Sequence, residues 1–237
     1  RGYHPQGSGL YAGVQVWRRP SVPTKHLDAG THTALCVLEC VASRRYDLVH
    51  VHGIGPGIFV GLARRFLPTV FTLHALDWRQ RKWGRAARWW LRHGEQVAVR
   101  EAHAVIAVSE ILRRYVQETY GRAVHHVPNG AALAPPADPA PLARWGLTPE
   151  RYVLFVGRLI GDRGLGILLR AHAAMADAPP LVIAGDVQHD RQQSDVWRQL
   201  AGPGVLFTGY QTGAELAALY GHAALCVHPS EVEGLPI

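Results

Sequence analysis

The chain has 237 residues, of which 48% are hydrophobic and 18% are charged. This length suits one large or two medium domains, and the composition excludes a disordered chain because it supplies enough apolar residues for a core. No run approaches the ~20 uninterrupted apolar residues that a membrane span requires. The formal net charge of +7 favours anionic partners, which include phosphates, nucleic acid and acidic membrane surfaces.

In the first half, short β-branched runs alternate with longer helical patterns, which is typical of parallel sheets connected by helices. Strands are predicted at 47–52, 69–73, 104–108 and 124–127, with a further candidate at 13–17. Helices are predicted around 30–44, 56–67, 83–102 and 109–120. Together these elements predict a first α/β domain at residues 1–130.

The composition changes after this domain. Four prolines lie within residues 135–141, and proline at this density continues neither a helix nor a central strand. Residues 131–149 are therefore predicted to be an interdomain linker. Strands are then predicted at 152–156, 181–184, 205–208 and 225–227. The alternation predicts a second α/β domain at 150–237, so the fold class is two Rossmann-like, doubly wound parallel sheets.

The two ends of the sequence and its cysteine content lead to further expectations. It begins without a methionine or an apolar signal, and it stops soon after a predicted strand. We therefore expect both domains to be incomplete and a piece of this kind to be inactive by itself. Three cysteines do not form a disulfide framework, which indicates a reducing cytosol.

The segment at residues 156–164 carries the strongest local signal for a ligand. It follows a strand and leads into a helix, where free amides and a partial positive charge favour anions. Gly157 and Gly164 permit a tight turn, and Arg158 and Arg163 supply planar cationic groups that match phosphate oxygens. The segment predicts a diphosphate site; the alternative is a surface turn with two solvated arginines.

Two further strand ends carry candidate residues. His74 follows the strand at 69–73, where it could polarise a leaving group or orient a substrate. Glu233, Gly234 and Leu235 follow the last strand, and a carboxylate there can accept hydrogen bonds from sugar hydroxyls. The alternatives are a structural histidine and an ordinary acidic turn.

The helix predicted after residue 78 has two faces. One face carries apolar or small residues at helical spacing: Trp83, Ala87, Trp90, Gly94 and Val97. The other face carries Arg81, Arg85, Arg88 and Arg92. One interpretation is a tryptophan stripe that faces the core, with a solvated basic back. The other is contact with an anionic membrane surface.

Seven segments in order give the chain a family resemblance. They are VHVHG at 49–53, TLHALDW at 72–78, VSE at 108–110, VPNG at 127–130, FVGRL at 155–159, IAGD at 183–186 and PSEVEGLP at 229–236. The ordered set resembles the retaining glycosyltransferases of family 4, in which two Rossmann-like domains face a cleft (the GT-B architecture). Residues 76–84 resemble a subgroup found in surface-polysaccharide synthesis.

The resemblance implies transfer of a sugar from a nucleotide-diphosphate sugar to an acceptor hydroxyl with retention, in polysaccharide or glycolipid synthesis. It implies that Arg158 binds the donor diphosphate and that Arg163 stands where the family usually has lysine. Glu233 corresponds to the first of two family glutamates, and the second would fall beyond residue 237. His74 corresponds to the histidine near the transferred sugar.

The remaining expectations are broader. Tyr210 and Gln211 are candidates for contact with the nucleobase, and Lys25, His26 and Gly53 are candidates for acceptor contact. The partners expected are a nucleotide-diphosphate sugar and a saccharide or lipid-linked acceptor, in the cytoplasm or on the inner face of the membrane, with no nucleic acid. No acidic cluster stands out, so neither a metal nor another cofactor is expected. The alternatives are a nucleotide-sugar 2-epimerase and a non-catalytic basic-surface binding module.

Overall fold

A computed structural model describes residues 8–11, 13–22, 28–80, 83–131, 137–159, 163–186, 191–230 and 232–235. The chain divides into two units, Arg1–Asn129 and Gly130–Ile237. Each unit contains a four-stranded sheet, and all the strand pairs in both sheets are parallel. The predicted α/β class with parallel sheets is therefore confirmed.

The described residues of the first unit form six strands. They are β1 (Gly9–Tyr11), β2 (Val14–Val16), β3 (Val49–His52), β4 (Thr69–Leu73), β5 (Ala104–Ala107) and β6 (His125–His126). The parallel sheet has the order β3-β4-β5-β6. The strand predicted at 13–17 is present as β2, but it pairs antiparallel with β1 in a separate hairpin.

The helices of the first unit follow the predicted pattern with one exception. They are α1 (Asp28–Ser43), α2 (Val60–Ala63), α3 (Arg85–Glu101) and α4 (Glu110–Tyr120). Ser109 caps α4, because its Oγ accepts a hydrogen bond from the backbone N of Leu112 at 3.4 Å. The single helix predicted at 56–67 is wrong: a 3-10 turn at Pro56–Phe59 precedes the four-residue α2.

The packing of α3 explains that difference. A Cβ atom on Gly57, in the 3-10 turn, would lie only 2.6 Å from the carbonyl oxygen of Gly94 on α3. The turn and the helix therefore touch backbone to backbone, which fixes the turn beneath α3 and interrupts a longer regular helix. Glycine at both positions makes this approach possible.

The same contact corrects the predicted faces of α3. Its buried residues are Leu91, Gly94, Glu95, Ala98 and Val99. Of the stripe predicted to face the core, Gly94 is buried but Trp90 is 38% exposed, so the predicted core-facing stripe is only partly correct. Trp89, which lies outside that stripe, is 65% exposed. Gly94 and Ala98 face the 3-10 turn, where the close approach of its backbone leaves no room for an indole ring.

The second unit is wound on both faces of its sheet. Its strands are β7 (Val153–Val156), β8 (Leu181–Ala184), β9 (Val205–Gly209) and β10 (Leu225–Cys226), in the order β10-β7-β8-β9. Its helices are α5 (Leu165–Ala173), α6 (Arg191–Leu200) and α7 (Gly213–Gly221). Alternate strand residues point to opposite faces: Phe155 packs in one buried cluster with Leu165 and Trp197, and Leu154 packs in another with Leu219.

Part of the segment predicted as a linker folds into this second unit. Residues Ala140–Trp145 form a 3-10 helix with proline in its first turn. Its Leu142 is 1% exposed and belongs to the cluster of Tyr152 and Leu219. The proline pattern correctly excludes a long helix, but it is compatible with a short turn that contributes to the core.

Candidate active site

The carboxyl edge of the second sheet contains a topological switch point. The chain passes from β7 to β8 and β9 on one side, whereas β10 pairs with β7 on the other side. In open parallel sheets, ligands bind outside the carboxyl ends of the strands where the order reverses. Gly157 and Arg158 follow β7, and residues 229–235 follow β10. The structure therefore brings the two predicted donor segments to this switch point.

Two glycines allow the loops at this edge to pack closely. Gly164 has a φ of 71°, and a Cβ atom there would overlap the carbonyl oxygen of Pro229. Gly185, which follows β8, could not carry a Cβ atom either, because it would overlap the carbonyl oxygen of Gly157. The loops after β7, β8 and β10 are thus held backbone to backbone, which gives their side chains fixed positions.

Arg163 and Glu233 form an ion pair across this edge. The Arg163 Nη1 atom donates to Glu233 Oε1, although the residues are 70 positions apart in the sequence. About a third or less of each side chain is exposed, at 32% and 27%. Arg158 is exposed and makes no ion pair with any residue that the structure describes. Among the described residues, Arg163 is therefore in an ion pair and Arg158 is not.

Histidines occupy the carboxyl edge of the first sheet. His52 Nδ1 lies 2.9 Å from His74 Nε2, and His50 Nε2 lies 2.7 Å from the hydroxyl of Thr72. Burial, reinforced by a neighbouring imidazole, lowers the pKa of His50, His52 and His74. Neutral rings can share one proton along the His52–His74 contact, which fixes the orientation of the His74 ring.

His52 was not predicted as a site residue. The signal for it is the alternation in VHVH, since residues two apart on a strand point to one face. Gly53 follows β3 with a φ of 81°, and its backbone N donates to the Thr72 carbonyl at 3.1 Å. The acceptor candidate Gly53 and the catalytic candidate His74 therefore lie at neighbouring strand ends.

The remaining candidates differ in how the structure places them. Tyr210 and Gln211 follow β9, two strands from β7 and hence about 10 Å along the sheet edge. Tyr210 is 49% exposed, and the Gln211 amide donates to the Thr208 carbonyl. Their contact with a base stays a prediction. Lys25, His26 and Arg81 lie outside the described residues.

A second concave surface lies between α3 and α4. We call it the basic groove; it has a volume of about 640 Å³ and is lined by Arg85, Arg88, Arg92 and Arg100 together with aromatic side chains. The groove brings Arg85, Arg88 and Arg92 of the predicted arginine stripe together with Trp89, which did not belong to the predicted tryptophan stripe.

A buried carboxylate holds the aromatic side chains behind this groove. Glu95 is 1% exposed and accepts hydrogen bonds from Trp78 Nε1 at 2.7 Å, and from the hydroxyls of Tyr115 and Tyr120 at 2.6 Å each. Burial and the Glu95 carboxylate raise the pKa of Tyr115 to about 12. Glu95 was not predictable from the sequence, because an acidic residue on a helix is normally solvated.

The described residues contain neither a metal-binding cluster nor a membrane-spanning helix. They contain no group of three or more His, Cys, Asp or Glu side chains arranged to hold a metal ion. The expectation that no metal is needed stays a prediction. None of the helices in the described ranges combines the length and the apolar character of a membrane span.

Two family models match the chain. The model described as Glycosyltransferase Family 4 matches residues 2–134. The model described as Glycosyl transferases group 1 matches residues 150–237. No curated protein matches the sequence significantly.

Solved glycosyltransferase structures are similar in fold. Sucrose-phosphate synthase from Thermosynechococcus elongatus has a TM-score of 0.78 at 19% identity, over 100% of this chain and 65% of that one. Anabaena Alr3699/HepE in complex with UDP-glucose has a TM-score of 0.68 at 21% identity, over 84% and 57%. The UDP-forming α,α-trehalose-phosphate synthase from Burkholderia vietnamiensis has a TM-score of 0.58 at 15% identity, over 86% and 58%. The chain thus spans less than two thirds of each structure.

Proposed function

We propose, since the chain belongs to glycosyltransferase family 4, that it transfers a sugar from a nucleotide-diphosphate sugar to an acceptor hydroxyl. The observation that carries the proposal is the convergence of Arg158, Arg163 and Glu233 at the switch point of the second sheet. Solved structures of similar fold contain UDP and UDP-glucose, so a UDP-linked sugar is the first donor to test.

The reaction requires stabilisation of the charge that develops on the leaving diphosphate. Arg158 and Arg163 supply fixed positive charge, and the first amides of α5 add the positive end of a helix dipole. A bound diphosphate would compete with Glu233 for the Arg163 guanidinium. The released Glu233 carboxylate is then free to accept hydrogen bonds from the sugar hydroxyls.

The finer features of the reaction belong to the same proposal. We assign retention of configuration by front-face transfer, in which the departing phosphate helps to deprotonate the acceptor. His74 is the proposed catalytic histidine of the first unit, with Gly53 beside it at the acceptor side. The acceptor is a saccharide or lipid-linked saccharide, and the reaction takes place in the cytoplasm or on the inner face of the membrane.

Calorimetric titration of the chain with a panel of nucleotide-diphosphate sugars tests the donor site. Arg158→Ala should weaken donor binding at least about tenfold, because a charged hydrogen bond to phosphate contributes roughly 1.5–3 kcal/mol. The matched control is Arg151→Ala, since Arg151 is exposed and precedes the amino end of β7. Equal affinities of the two variants would contradict the proposed diphosphate site.

Product analysis with the full-length enzyme separates transfer from its alternatives. Incubation of the donor alone should leave its sugar unchanged, whereas a 2-epimerase would alter it without an acceptor. With an acceptor present, the anomeric configuration of the product measured by NMR tests retention. Turnover in the presence of a chelator tests metal independence. Loss of turnover would contradict the expectation that no metal is needed.

A further inference from the structure

We propose that the basic groove between α3 and α4 binds an extended anionic saccharide. Given the transferase function proposed above, on which this assignment rests, the saccharide is the remote part of the acceptor. The donor site lies in the other unit of the chain, so this binding can be measured separately from donor binding.

The charge of the groove defines the class of ligand. Four arginines line it, and neither aspartate nor glutamate is among its lining residues. In the described part of the chain, none of these four guanidinium groups is in an ion pair, whereas Arg64 pairs with Glu101 and Arg113 with Glu110 on the same unit. Free guanidinium groups with fixed geometry are suited to carboxylate, sulfate or phosphate groups.

The length of the groove excludes a single small anion. Arg85 and Arg100 are 15 residues apart on one helix. At 1.5 Å per residue they are separated by about 22 Å along the helix axis. One phosphate or diphosphate cannot contact both ends. The ligand must therefore carry several anionic groups along an extended chain.

Aromatic rings in the groove offer faces to this chain. The Trp89 indole is 65% exposed and stacks on the His93 ring, with centroids 5.4 Å apart and an interplanar angle of 6°. Tyr115 and Tyr120 line the opposite side, where Glu95 fixes both hydroxyls. The apolar face of a sugar ring can pack on such rings while its acidic groups pair with the arginines.

The direction of the groove connects it to the acceptor side of the first sheet. α3 begins after the carboxyl end of β4, which also carries His74. It ends near the amino end of β4, since the backbone N of His103 donates to the Thr69 carbonyl at 3.0 Å. The groove therefore leads away from the edge where His74 and Gly53 lie. A chain with its reactive end at that edge would have its remote units in the groove.

The shape and lining favour a saccharide over a membrane surface. A bilayer binds a helix that presents a broad apolar face, whereas this surface is concave and also contains the polar side chains of Gln96 and Thr119. Amide and hydroxyl groups of this kind can pair with sugar hydroxyls. A single-stranded nucleic acid would also stack on aromatic rings. Lipid and nucleic acid are therefore alternative outcomes of the test.

The test measures binding of the intact chain by Trp fluorescence and calorimetry. The probes are sulfated heparin oligosaccharides and oligogalacturonate, with a neutral dextran oligosaccharide as the uncharged control. We expect the two anionic probes to bind and the neutral one not to bind. Arg85→Gln/Arg88→Gln should weaken binding at least about tenfold, as expected for loss of two charged contacts, and Trp89→Ala should weaken it as well.

The matched control is Arg45→Gln/Arg65→Gln, which removes two exposed arginines of the same unit outside the groove. Equal weakening of saccharide binding in both double variants would mean that net charge alone determines binding, which would overturn the proposal. Groove-dependent binding of phosphatidylglycerol vesicles or oligothymidylate, without binding of either anionic saccharide, would also overturn it. If the unsubstituted chain bound the sugar nucleotide but neither anionic saccharide, this inference would be refuted while the proposed function stayed intact.

Discussion

Glu95 shows how one buried residue can organise a surface. Its carboxylate accepts hydrogen bonds from Trp78, in the 3-10 turn Asp77–Arg79, and from Tyr115 and Tyr120, both on α4. Arg92, which lines the basic groove, lies over the Trp78 ring, with its Cζ atom 4.7 Å from the ring centroid. The hydrogen bond that holds the Trp78 indole on Glu95 therefore also helps to position this arginine. Removal of Glu95 would leave three donors without their acceptor in the interior.

We predict that Glu95→Gln destabilises the first unit by about 2 kcal/mol. Glutamine keeps one oxygen for the two tyrosine hydroxyls, but its NH₂ group then faces the donor Nε1 of Trp78. One hydrogen bond is lost and a donor remains unsatisfied. Chemical denaturation measures the change in the free energy of unfolding.

Glu118→Gln is the control for this substitution, because Glu118 lies exposed on α4 near the same groove. Its free energy of unfolding should change by less than about 0.5 kcal/mol. A similar small change for Glu95→Gln would mean that the Glu95 network contributes little to stability.

Glycine contacts determine how α3 packs on the 3-10 turn. Gly94 lies inside α3, where alanine is intrinsically more favourable by about 1 kcal/mol. A Cβ atom there would overlap the carbonyl oxygen of Ile54, which belongs to the backbone and cannot rotate away. The steric effect should exceed the gain in helix propensity. We predict that Gly94→Ala lowers the free energy of unfolding by about 1–3 kcal/mol.

The opposite result is expected on α1. A Cβ atom on Gly30, within Asp28–Ser43, meets no atom within 4 Å. Gly30→Ala should therefore leave stability unchanged or raise it by up to about 1 kcal/mol. Thermal unfolding of both variants provides the comparison, and equal effects would show that helix propensity, and not the contact with Ile54, controls the outcome.

The histidines at the ends of β3 and β4 predict sensitivity to acid. Burial lowers the pKa of His50, His52 and His74 below the ordinary value of 6.5. The unfolded chain therefore binds protons more readily than the folded one. The stabilisation is fully present above pH ~6.5 and is lost as the pH falls through the lowered pKa values.

His52→Asn should make this acid destabilisation shallower, because the amide can replace Nδ1 in the contact with His74 but cannot gain a proton. The control is His125→Asn on β6, an exposed position. Midpoint temperatures measured from pH 8 to pH 5 test the prediction. A pH dependence unchanged by His52→Asn, or reduced equally by both substitutions, would contradict it.

Elements were predictable where the hydrophobic pattern is continuous. β4 and β8 are found at the predicted residues, because strands covered on both faces are rich in apolar and β-branched residues: β8 is LVIA, and β4 is TVFTL with both threonines buried. The faces of α3 were not predictable in the same way. Its buried side contains Gly94 and Glu95, whereas the large apolar rings of Trp89 and Trp90 face solvent. The orientation of α3 depends on its backbone contact with the 3-10 turn and the residues just before it, and no local sequence pattern indicates that contact.

The sequence predicted which residues belong to the candidate site better than it predicted which side chains those residues contact. Glycines and arginines after β7 indicated a phosphate site because the strand, turn and helix are local. The ion pair of Arg163 with Glu233 joins residues 70 apart, and the contact of His52 with His74 joins residues 22 apart. Such pairs arise from strand order, which the sequence alone did not specify.

The two proposed ligands should protect different units of the intact chain from hydrogen exchange. A nucleotide-diphosphate sugar at one hundred times its Kd adds about 2.7 kcal/mol to the unit that binds it, which corresponds to roughly 100-fold slower exchange through global opening of that unit. We expect this protection within Gly130–Ile237, and strongest around Arg158 and Glu233.

A heparin oligosaccharide should instead protect α3 and α4 within Arg1–Asn129. At the same ligand concentration, Arg158→Ala should reduce only the first pattern, by roughly tenfold or more, whereas Arg85→Gln/Arg88→Gln should reduce only the second. Each variant is the control for the other, because its substitutions leave the residues of the other site unchanged. If the sugar nucleotide protected α3 and α4 alone, the basic groove itself would be the donor site, and the assignment of Arg158 to the diphosphate would be wrong.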